Sequence, residues 1–199
     1  MSKRQRRRVT DLGTLKAFGH PLRLRLYGAL KVAPGRTATA SQLAEEVDEA
    51  VSLVSYHLRK LAEHGLIEEA PQAQRGDGRE RWWTPAQETL SFHTEDFEDT
   101  PEKAAALTAV TRTLHEQQTD LFEVWLGNRS AWSPKWRSAA DNSDFLARLN
   151  PAELASLTEE LHAVVRKYEE QAKAAEEAGE TEGRENVLLY MRSFPFRSL

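Results

Sequence analysis

The sequence predicts a mainly α fold with a small β-wing, and three features of the chain lead to that prediction. Apolar residues recur at spacings of three and four through much of the 199-residue chain, which is the period of amphipathic helices. Proline, threonine and asparagine stand where helices would begin, and glycine stands where they would end. Residues 72–78 are polar and separate two short extended runs, as the tip of a hairpin does.

Three short helices are predicted before residue 48. The first covers residues 11–19, where apolar residues have helical spacing and glycine closes the segment. The second begins at Pro21, because proline suits the first helical position, and it closes before Pro34-Gly35. Thr39-Ala-Ser-Gln42 has the spacing of a capping box, so a third helix should follow over about residues 40 to 47.

A fourth helix is predicted over Val51–His64, very close to the third. Only three residues, Asp48 to Ala50, separate the two helices, so they must turn sharply on each other. Gly65 then suits a left-handed helix end, and two strands around Gly76-Asp-Gly78 form a wing. The sequence therefore predicts a winged helix-turn-helix domain over residues 11–88, preceded by a basic flexible arm, residues 1–10.

For residues 89–199 the sequence predicts a helical region for dimerisation and possible effector binding, which ends in a terminal strand. An apolar seam with coiled-coil spacing runs from Leu107 to Val124, and it could pair two chains or pack against a second internal helix; pairing is the favoured interpretation. That second helix opens at Asn150-Pro151-Ala-Glu153, which combines an N-cap, an N1 proline and an N3 carboxylate. It should end at Gly179, and Val187–Phe194 has the composition of a strand.

Charge and composition narrow the classes of protein. The net charge is −4, but residues 1–89 carry +4 (15 basic against 11 acidic) and residues 90–199 carry −8 (12 against 20), so a polyanion would approach the first half. There is no cysteine, which excludes disulfides and thiolate sites. No apolar run approaches the roughly 20 residues that cross a bilayer, and the start lacks a secretory core. We expect a cytoplasmic protein without a membrane partner.

The fourth helix should present a reading face for duplex DNA. At about 100° per residue, Val54, Leu58 and Leu61 cluster on one side and must face the core, so Tyr56 and Arg59 point outward. Arginine can bind guanine edges with two hydrogen bonds, and hydroxyl and apolar groups can contact bases or phosphates. A double-stranded DNA operator is therefore the predicted partner. The predicted DNA-binding residues are Ser41, Gln42, Ser52, Leu53, Ser55, Tyr56, Arg59, Lys60, Arg75, Arg79 and Arg81.

Over roughly residues 11–87 the chain resembles the ArsR family of winged-helix regulators. The resemblance lies in Phe18-Gly-His-Pro-Leu-Arg-Leu-Arg-Leu-Tyr27, Ser41-Gln-Leu-Ala-Glu45, Val51-Ser-Leu-Val-Ser-Tyr-His-Leu-Arg-Lys-Leu61 and His64-Gly-Leu-Ile67. It implies a homodimer that binds an inverted-repeat operator, usually as a repressor. The family's reading positions fall on Ser52, Leu53, Ser55, Tyr56 and Arg59.

The chain departs from the ArsR pattern at two points. The turn of the family carries glycine and a small capping hydroxyl, whereas Asp48 and Ala50 stand here, so the helix cap could shift to Asp48. The metal-sensing members of the family use cysteine or paired histidine and carboxylate sites, and this chain has no cysteine.

The residue pattern contains no recognisable catalytic motif and only a weak candidate for a metal site. No glycine-rich phosphate loop, Ser/His/Asp order or paired-carboxylate site stands out, so we expect a protein that is not an enzyme and has no cofactor. His115, Glu116 and Asp120, or His162 on the later helix, could serve a metal sensor with nitrogen and oxygen ligands. An ordinary polar helix face is the favoured interpretation, so no metal site is predicted.

Two further alternatives remain open at this point. Trp125, Trp132 and Trp136, with Phe122 nearby, could line a pocket for a small organic effector, or they could form a simple core. A winged helix can also serve as a protein-interaction module that uses the same exposed face for a protein partner. The basic arm and the arginines of the wing favour DNA.

Overall fold

The computed structural model of the chain describes residues 6–70 and 80–197. The chain forms two compact units, residues 1–129 and residues 130–199, which are described separately. The described part of the first unit contains strands and helices in the order β1 Arg6–Val9, α1 Leu12–Phe18, α2 Pro21–Val32, β2 Ala38–Thr39, α3 Ala40–Val47, α4 Val51–Glu63, β3 Ile67–Glu69, β4 Trp82–Pro85, β5 Thr89–Phe92 and α5 Pro101–Gly127. The fold is mainly helical with a small antiparallel sheet, as predicted.

Local capping explains where the first helices begin. The Asp11 carboxylate accepts a hydrogen bond from the backbone N–H of Thr14, 2.7 Å away, and so caps α1. Thr39 and Gln42 form the predicted capping box at the start of α3, each side chain accepting from the other's backbone N–H. Both helix starts therefore follow from residues within one turn, and the capping-box prediction is confirmed.

The turn between α3 and α4 differs from the expected arrangement. Asp48 does not cap α4: it is the left-handed C-cap of α3, with φ +53° and ψ +56°. The N-cap of α4 is Ala50, whose side chain accepts no hydrogen bond. The expected shift of the cap to Asp48 is therefore wrong, because Asp48 takes the left-handed position that glycine usually fills.

The predicted hairpin is part of a three-stranded sheet. β3 pairs antiparallel with β4, with Glu68 opposite Thr84, and the short strand β2 adds to the other edge of β4, with Ala38 opposite Trp83. Gly65, with φ +62°, follows the end of α4 and turns the chain into β3, as the sequence predicts. The predicted antiparallel pairing of the two wing strands is confirmed, the predicted tip Gly76-Asp-Gly78 lies outside the described residues, and strand β2 was not predicted.

Residues 6–9 differ from the expected flexible arm. They form β1, which pairs parallel with β5, and Val9 is fully buried in a small cluster with Leu15, Phe97 and Val110. The basic residues of this segment do not predict a strand, because only one apolar residue, Val9, holds it to the core. The strand with which it pairs, β5, lies more than 80 residues later in the chain. Packing against α5 therefore ties the start of the described chain to the first unit.

The second unit contains two helices among its described residues, α6 Pro134–Ala139 and α7 Pro151–Glu177. Asn150 and Glu153 form a capping box at the start of α7, and Gly179, with φ +77°, follows its C-cap, so both predicted ends are confirmed. The predicted terminal strand over Val187–Phe194 is wrong. These residues form neither helix nor strand, because no neighbouring strand edge pairs with them among the described residues.

Across the described ranges, each helix is too short or too polar to pass through a lipid bilayer.

Candidate nucleic-acid interface

Helix α4 is held in one orientation by its apolar side. Val54, Leu58 and Leu61 are fully buried in the main core of the first unit. The opposite side leaves 49% of Tyr56 and much of Arg59 exposed. Because the buried stripe is continuous, the helix cannot rotate without exposing it to water, which costs roughly 1.5–3 kcal/mol per side chain. The predicted outward orientation of Tyr56 and Arg59 is confirmed.

The other predicted residues of α4 lie on or beside the exposed face. Ser52 and Leu53 are exposed, and Ser55 and Lys60 are half-buried on its flanks. The Lys60 ammonium lies 5.9 Å from the centroid of the Tyr56 ring, so the two side chains form one surface. The structure therefore brings all the candidate residues of α4 onto one side of the domain.

Lys60 already has an anionic partner on its own helix. Its ammonium donates a hydrogen bond of 2.7 Å to the Glu63 carboxylate one turn later. This hydrogen bond raises the pKa of Lys60 and lowers the pKa of Glu63. A phosphate that binds Lys60 must compete with Glu63, so Lys60 offers less net positive potential than the sequence suggested.

A pair of histidines supports Tyr56 from below. The His57 ring lies 5.1 Å from the Tyr56 ring and 4.5 Å from the ring of His20, at the N-cap of α2. Neither Nδ1 atom has a hydrogen-bond partner within residues 6–70 or 80–197. Burial, followed by the charges of His20 and Arg23, lowers the pKa of His57, and burial also lowers that of His20. Both shifts favour the neutral form of the ring, and the two rings act as packing groups beneath the exposed face.

The two candidate DNA-binding residues on α3, Ser41 and Gln42, both make hydrogen bonds within the chain, but with different atoms. Gln42 is engaged in the capping box, where its side-chain oxygen accepts from the Thr39 N–H at 2.9 Å. Ser41 donates its hydroxyl to Glu80, 2.8 Å away at the start of the returning wing segment. Gln42 thus has its amide nitrogen left for a ligand, and Ser41 links α3 to the wing.

On the wing, Arg81 is the predicted residue that the structure describes. It is exposed, and it lies 3.2 Å from the Glu69 carboxylate across the hairpin. Arg75 and Arg79 lie outside the described residues. Arg59 and Arg81 line the same open groove between α4 and the hairpin, so the structure brings the helix and the wing candidates together.

Arg7 also lines this groove, and it is not among the DNA-binding residues predicted from the sequence. Its guanidinium donates to the carbonyl oxygens of His64 at 2.9 Å and Gly65 at 3.0 Å, at the C-terminal end of α4. A cation there satisfies free carbonyls and favours the negative end of the helix dipole. No local signal could have found Arg7, because its position depends on the pairing of β1 with the distant β5.

The aromatic candidates for an effector pocket form two separate pairs. Phe122 and Trp125 stack on α5 with ring centroids 5.6 Å apart, and the Arg129 guanidinium lies over the Trp125 ring. In the second unit, Trp132 and Trp136 meet edge to face at 6.2 Å. The described residues contain no group of three or more His, Asp or Glu side chains that could hold a metal ion.

Comparison with known proteins identifies one domain. Residues 18–70 match the family model described as a helix-turn-helix domain. No curated protein matches the chain.

Solved structures with similarity to the chain include a MarR family transcription regulator, at 19% identity and a TM-score of 0.29, covering 82% of this chain and 81% of that one. Two structures of a Lactococcus lactis ZitR variant are 16% identical. The match to the apo form has a TM-score of 0.29 and covers 74% of this chain and 81% of the ZitR chain. The match to the second structure has a TM-score of 0.28 and covers 73% of this chain and 74% of the ZitR chain. Scores this low carry no argument about this chain.

The domain match ends one residue after β3, the first strand of the wing, and it includes α2, α3 and α4 in full. The structure adds the returning strand β4 and places Arg81 beside α4. The helix-turn-helix match and this geometry together support a DNA-binding regulator of transcription.

Proposed function

We propose that the chain is a dimeric, sequence-specific transcriptional regulator of the ArsR type that represses by occupying an inverted-repeat operator. The observation that carries the proposal is the outward face of α4, where Tyr56 and Arg59 are exposed while Val54, Leu58 and Leu61 lock the helix to the core. A helix held in this way can enter the major groove without reorganising the domain.

Each side chain of the exposed face has a distinct task in this proposal. Arg59 binds the O6 and N7 atoms of a guanine, and Ser52 and Ser55 donate to or accept from bases and phosphates. Leu53 and the Tyr56 ring contact thymine methyl groups. The helix thus reads a short half-site, and a second copy reads its inverted repeat.

The wing and the flanking residues fix the position of the domain on the duplex. Arg81, together with Arg75 and Arg79, which the sequence predicts for the wing, contacts phosphates or the adjacent minor groove. Ser41 and Lys60 add phosphate contacts when a phosphate replaces Glu80 and Glu63 as their hydrogen-bond acceptors. These contacts raise affinity for any sequence. Specificity then depends on α4.

The bound dimer represses transcription if its operator overlaps a promoter. An effector regulates this repression if it changes the affinity of the dimer for the operator. The expected sensor is the part of the chain beyond residue 88, and we propose that one of its two aromatic pairs, Phe122 with Trp125 or Trp132 with Trp136, binds a small organic molecule. We propose no catalytic activity, because the groups of the exposed face are those of recognition rather than of acid–base or nucleophilic chemistry.

Selection of bound duplexes from a random pool tests the proposal. Wild-type protein should recover one inverted-repeat motif, and Arg59→Ala should relax the preference at one base pair per half-site, with a loss of about 1–3 kcal/mol. Arg112→Ala, an exposed arginine on α5, is the matched control and should leave the motif unchanged. Failure of the wild-type protein to enrich any motif would refute sequence-specific binding.

Salt dependence provides an independent measurement. If the domain makes about 6–10 phosphate contacts, affinity for the selected duplex should fall by roughly 10³–10⁵ between 50 and 200 mM salt. Binding that does not change with salt would contradict the phosphate contacts assigned to the wing.

A protein-interaction module is a second candidate, and one observation favours it. The exposed side of α4 carries the apolar groups Val51, Leu53 and Tyr56, while Glu63 and Glu69 partly neutralise the neighbouring cations. Such a surface also suits a protein partner. An outcome with no enriched duplex, together with weak binding to all DNA, would favour this candidate.

A further inference from the structure

Helix α7 carries an apolar stripe that the second unit leaves exposed. Leu157, Leu161, Val164 and Tyr168 follow one another at spacings of four, three and four, and they lie within about 60° of one another around the helix. Between 42% and 64% of each side chain is exposed. Because an amphipathic helix gains most of its stability from burying such a stripe, the exposed stripe indicates a missing partner.

The spacing of the residues in the stripe indicates which partner fits it. The intervals of four, three and four residues read the same from either end of the helix. Two copies of α7 placed antiparallel therefore oppose Leu157 to Tyr168 and Leu161 to Val164, and each layer occurs twice by symmetry. A two-fold pair of this kind is the commonest way in which identical chains associate.

Charges beside the stripe distinguish the two possible orientations. Glu160 and Lys167 are exposed, and each directly precedes a residue of the stripe, so both lie on the same flank. In an antiparallel pair, Glu160 of each copy lies beside Lys167 of the other, which gives two ion pairs. In a parallel pair, Glu160 would instead face Val165 and Lys167 would face Ala172, so neither charge would be matched.

The opposite flank of the stripe is partly covered within the second unit. Thr158 and Val165 lie there and are half-buried, and the Thr158 hydroxyl is 3.4 Å from the hydroxyl of Ser193 in the terminal segment. The terminal segment thus contacts the flank that carries no charge. Among the described residues of the second unit, the stripe and the charged flank stay exposed.

We infer that α7 binds α7 of a second copy of this chain as a symmetric antiparallel helix pair, with Glu160 and Lys167 setting its direction. This inference rests on the dimer in the proposed function and gives it a surface, an orientation and a pair of specificity residues. It does not depend on DNA binding.

Charge reversal in the full-length protein tests the pairing, with sedimentation equilibrium in the absence of DNA as the readout. Glu160→Lys should weaken the dimer about tenfold, since it replaces two attractions with two repulsions between surface charges. Lys167→Glu should do the same, and the double variant Glu160→Lys/Lys167→Glu should restore wild-type affinity. Glu159→Lys, with the same charge change on the far side of the helix, should have little effect.

Orientation is measured by a distance between labels. The chain has no cysteine, so Ala152→Cys gives one spin-label site per copy near the start of α7. The antiparallel pair places the two backbone positions about 30 Å apart along the helix axis, against about 10 Å for a parallel pair. The shorter distance would overturn the inference.

The remaining outcomes separate this inference from the proposed function. A monomeric wild-type protein, an unchanged dimer in Glu160→Lys, or a double variant that does not recover would each overturn the helix pair. Enriched duplex binding in the selection experiment would still support the regulator. Conversely, rescue by the double variant in a protein that binds no duplex would support the pair and refute the regulator.

Discussion

Helices α4 and α7 are both amphipathic, but they use their apolar sides in opposite ways. The stripe of α4 is completely buried, and its burial fixes which polar and aromatic side chains face the solvent. The stripe of α7 has the same spacing, yet Leu161 at its centre is 43% exposed. Equal periodicity in the sequence therefore gives a helix with a fixed outward face in one unit and a helix with an exposed apolar stripe in the other.

The comparison shows what amphipathic periodicity alone can establish. It predicts that a helix forms and which of its sides is apolar, because both properties depend on residues within a few turns. It does not specify whether the apolar side meets the same chain or another one. That distinction requires the exposure of each residue in the folded chain.

Truncation of each stripe should give the largest difference between the two helices. Leu58→Ala in α4 should lower the free energy of unfolding by about 2–5 kcal/mol, because it leaves a cavity in a fully buried cluster. Leu161→Ala in α7 should change the stability of the monomeric chain by no more than about 0.5 kcal/mol, as for a typical surface site. Urea unfolding at low protein concentration measures both. Equal losses would mean that the stripe of α7 is covered within the monomer.

The next largest effect concerns the end of α4 rather than its stripe. Arg7→Ala removes the donor to the carbonyl oxygens of His64 and Gly65, and it should lower the free energy of unfolding by about 1–3 kcal/mol. Hydrogen exchange at the C-terminal turn of α4 should accelerate together with this loss. Arg8→Ala is the matched control. Arg8 pairs with the carboxylates of Glu95 and Asp96 rather than with the carbonyl oxygens at the end of α4, so its loss should leave exchange in α4 unchanged.

Arg7 also marks the limit of what the sequence could predict. Helices α1 to α5 and α7, the capping boxes of α3 and α7 and the pairing of the two wing strands followed from local patterns, and so did the outward orientation of Tyr56 and Arg59. Arg7 reaches α4 only because β1 pairs with β5 more than 80 residues later, and loop closure of that length leaves no periodic signal.

The incorrect predictions have a similar cause. The apolar residues at 187–194 have strand composition, but a strand also needs an edge to pair with, and none is present in the described parts of the chain. Asp48 was assigned to the wrong helix because a side chain that can cap α4 can also adopt the left-handed end of α3, and the sequence does not say which role prevails. The DNA contacts and the dimer stay predictions.

Acid should destabilise the unit that holds α4 through its buried histidine. The pKa of His57 is lowered in the folded chain, so the unfolded chain binds more protons below its ordinary pKa of about 6.5. The stability that the neutral His57 contributes is therefore fully present above that pH. It is lost as the pH falls, at up to about 1.4 kcal/mol per pH unit, until the pH reaches the pKa of His57 in the folded chain.

Comparing urea unfolding of the wild type with His57→Gln at pH 8 and pH 5 measures this loss. His162→Gln, an exposed histidine of α7, should retain the pH dependence of the wild type, and an identical slope in His57→Gln would contradict the assignment.

The smallest expected effect is on the surface of α4 itself, at the ion pair of Lys60 and Glu63. Glu63→Gln removes the carboxylate that accepts from the Lys60 ammonium and lines the groove with Arg59 and Arg81. Because the pair is exposed, the stability of the chain should hardly change. Lys60 is then released for phosphate, so affinity for both specific and random duplexes should rise a few-fold, and the slope of log affinity against log salt should steepen by about one contact. Glu159→Gln, which removes the same charge from α7, should produce no such change in slope. If Glu63→Gln weakened binding instead, Glu63 would have to be a reading residue that accepts from a cytosine amine, and the outer face of α4 would extend one turn further than the exposed Tyr56 and Arg59 indicate.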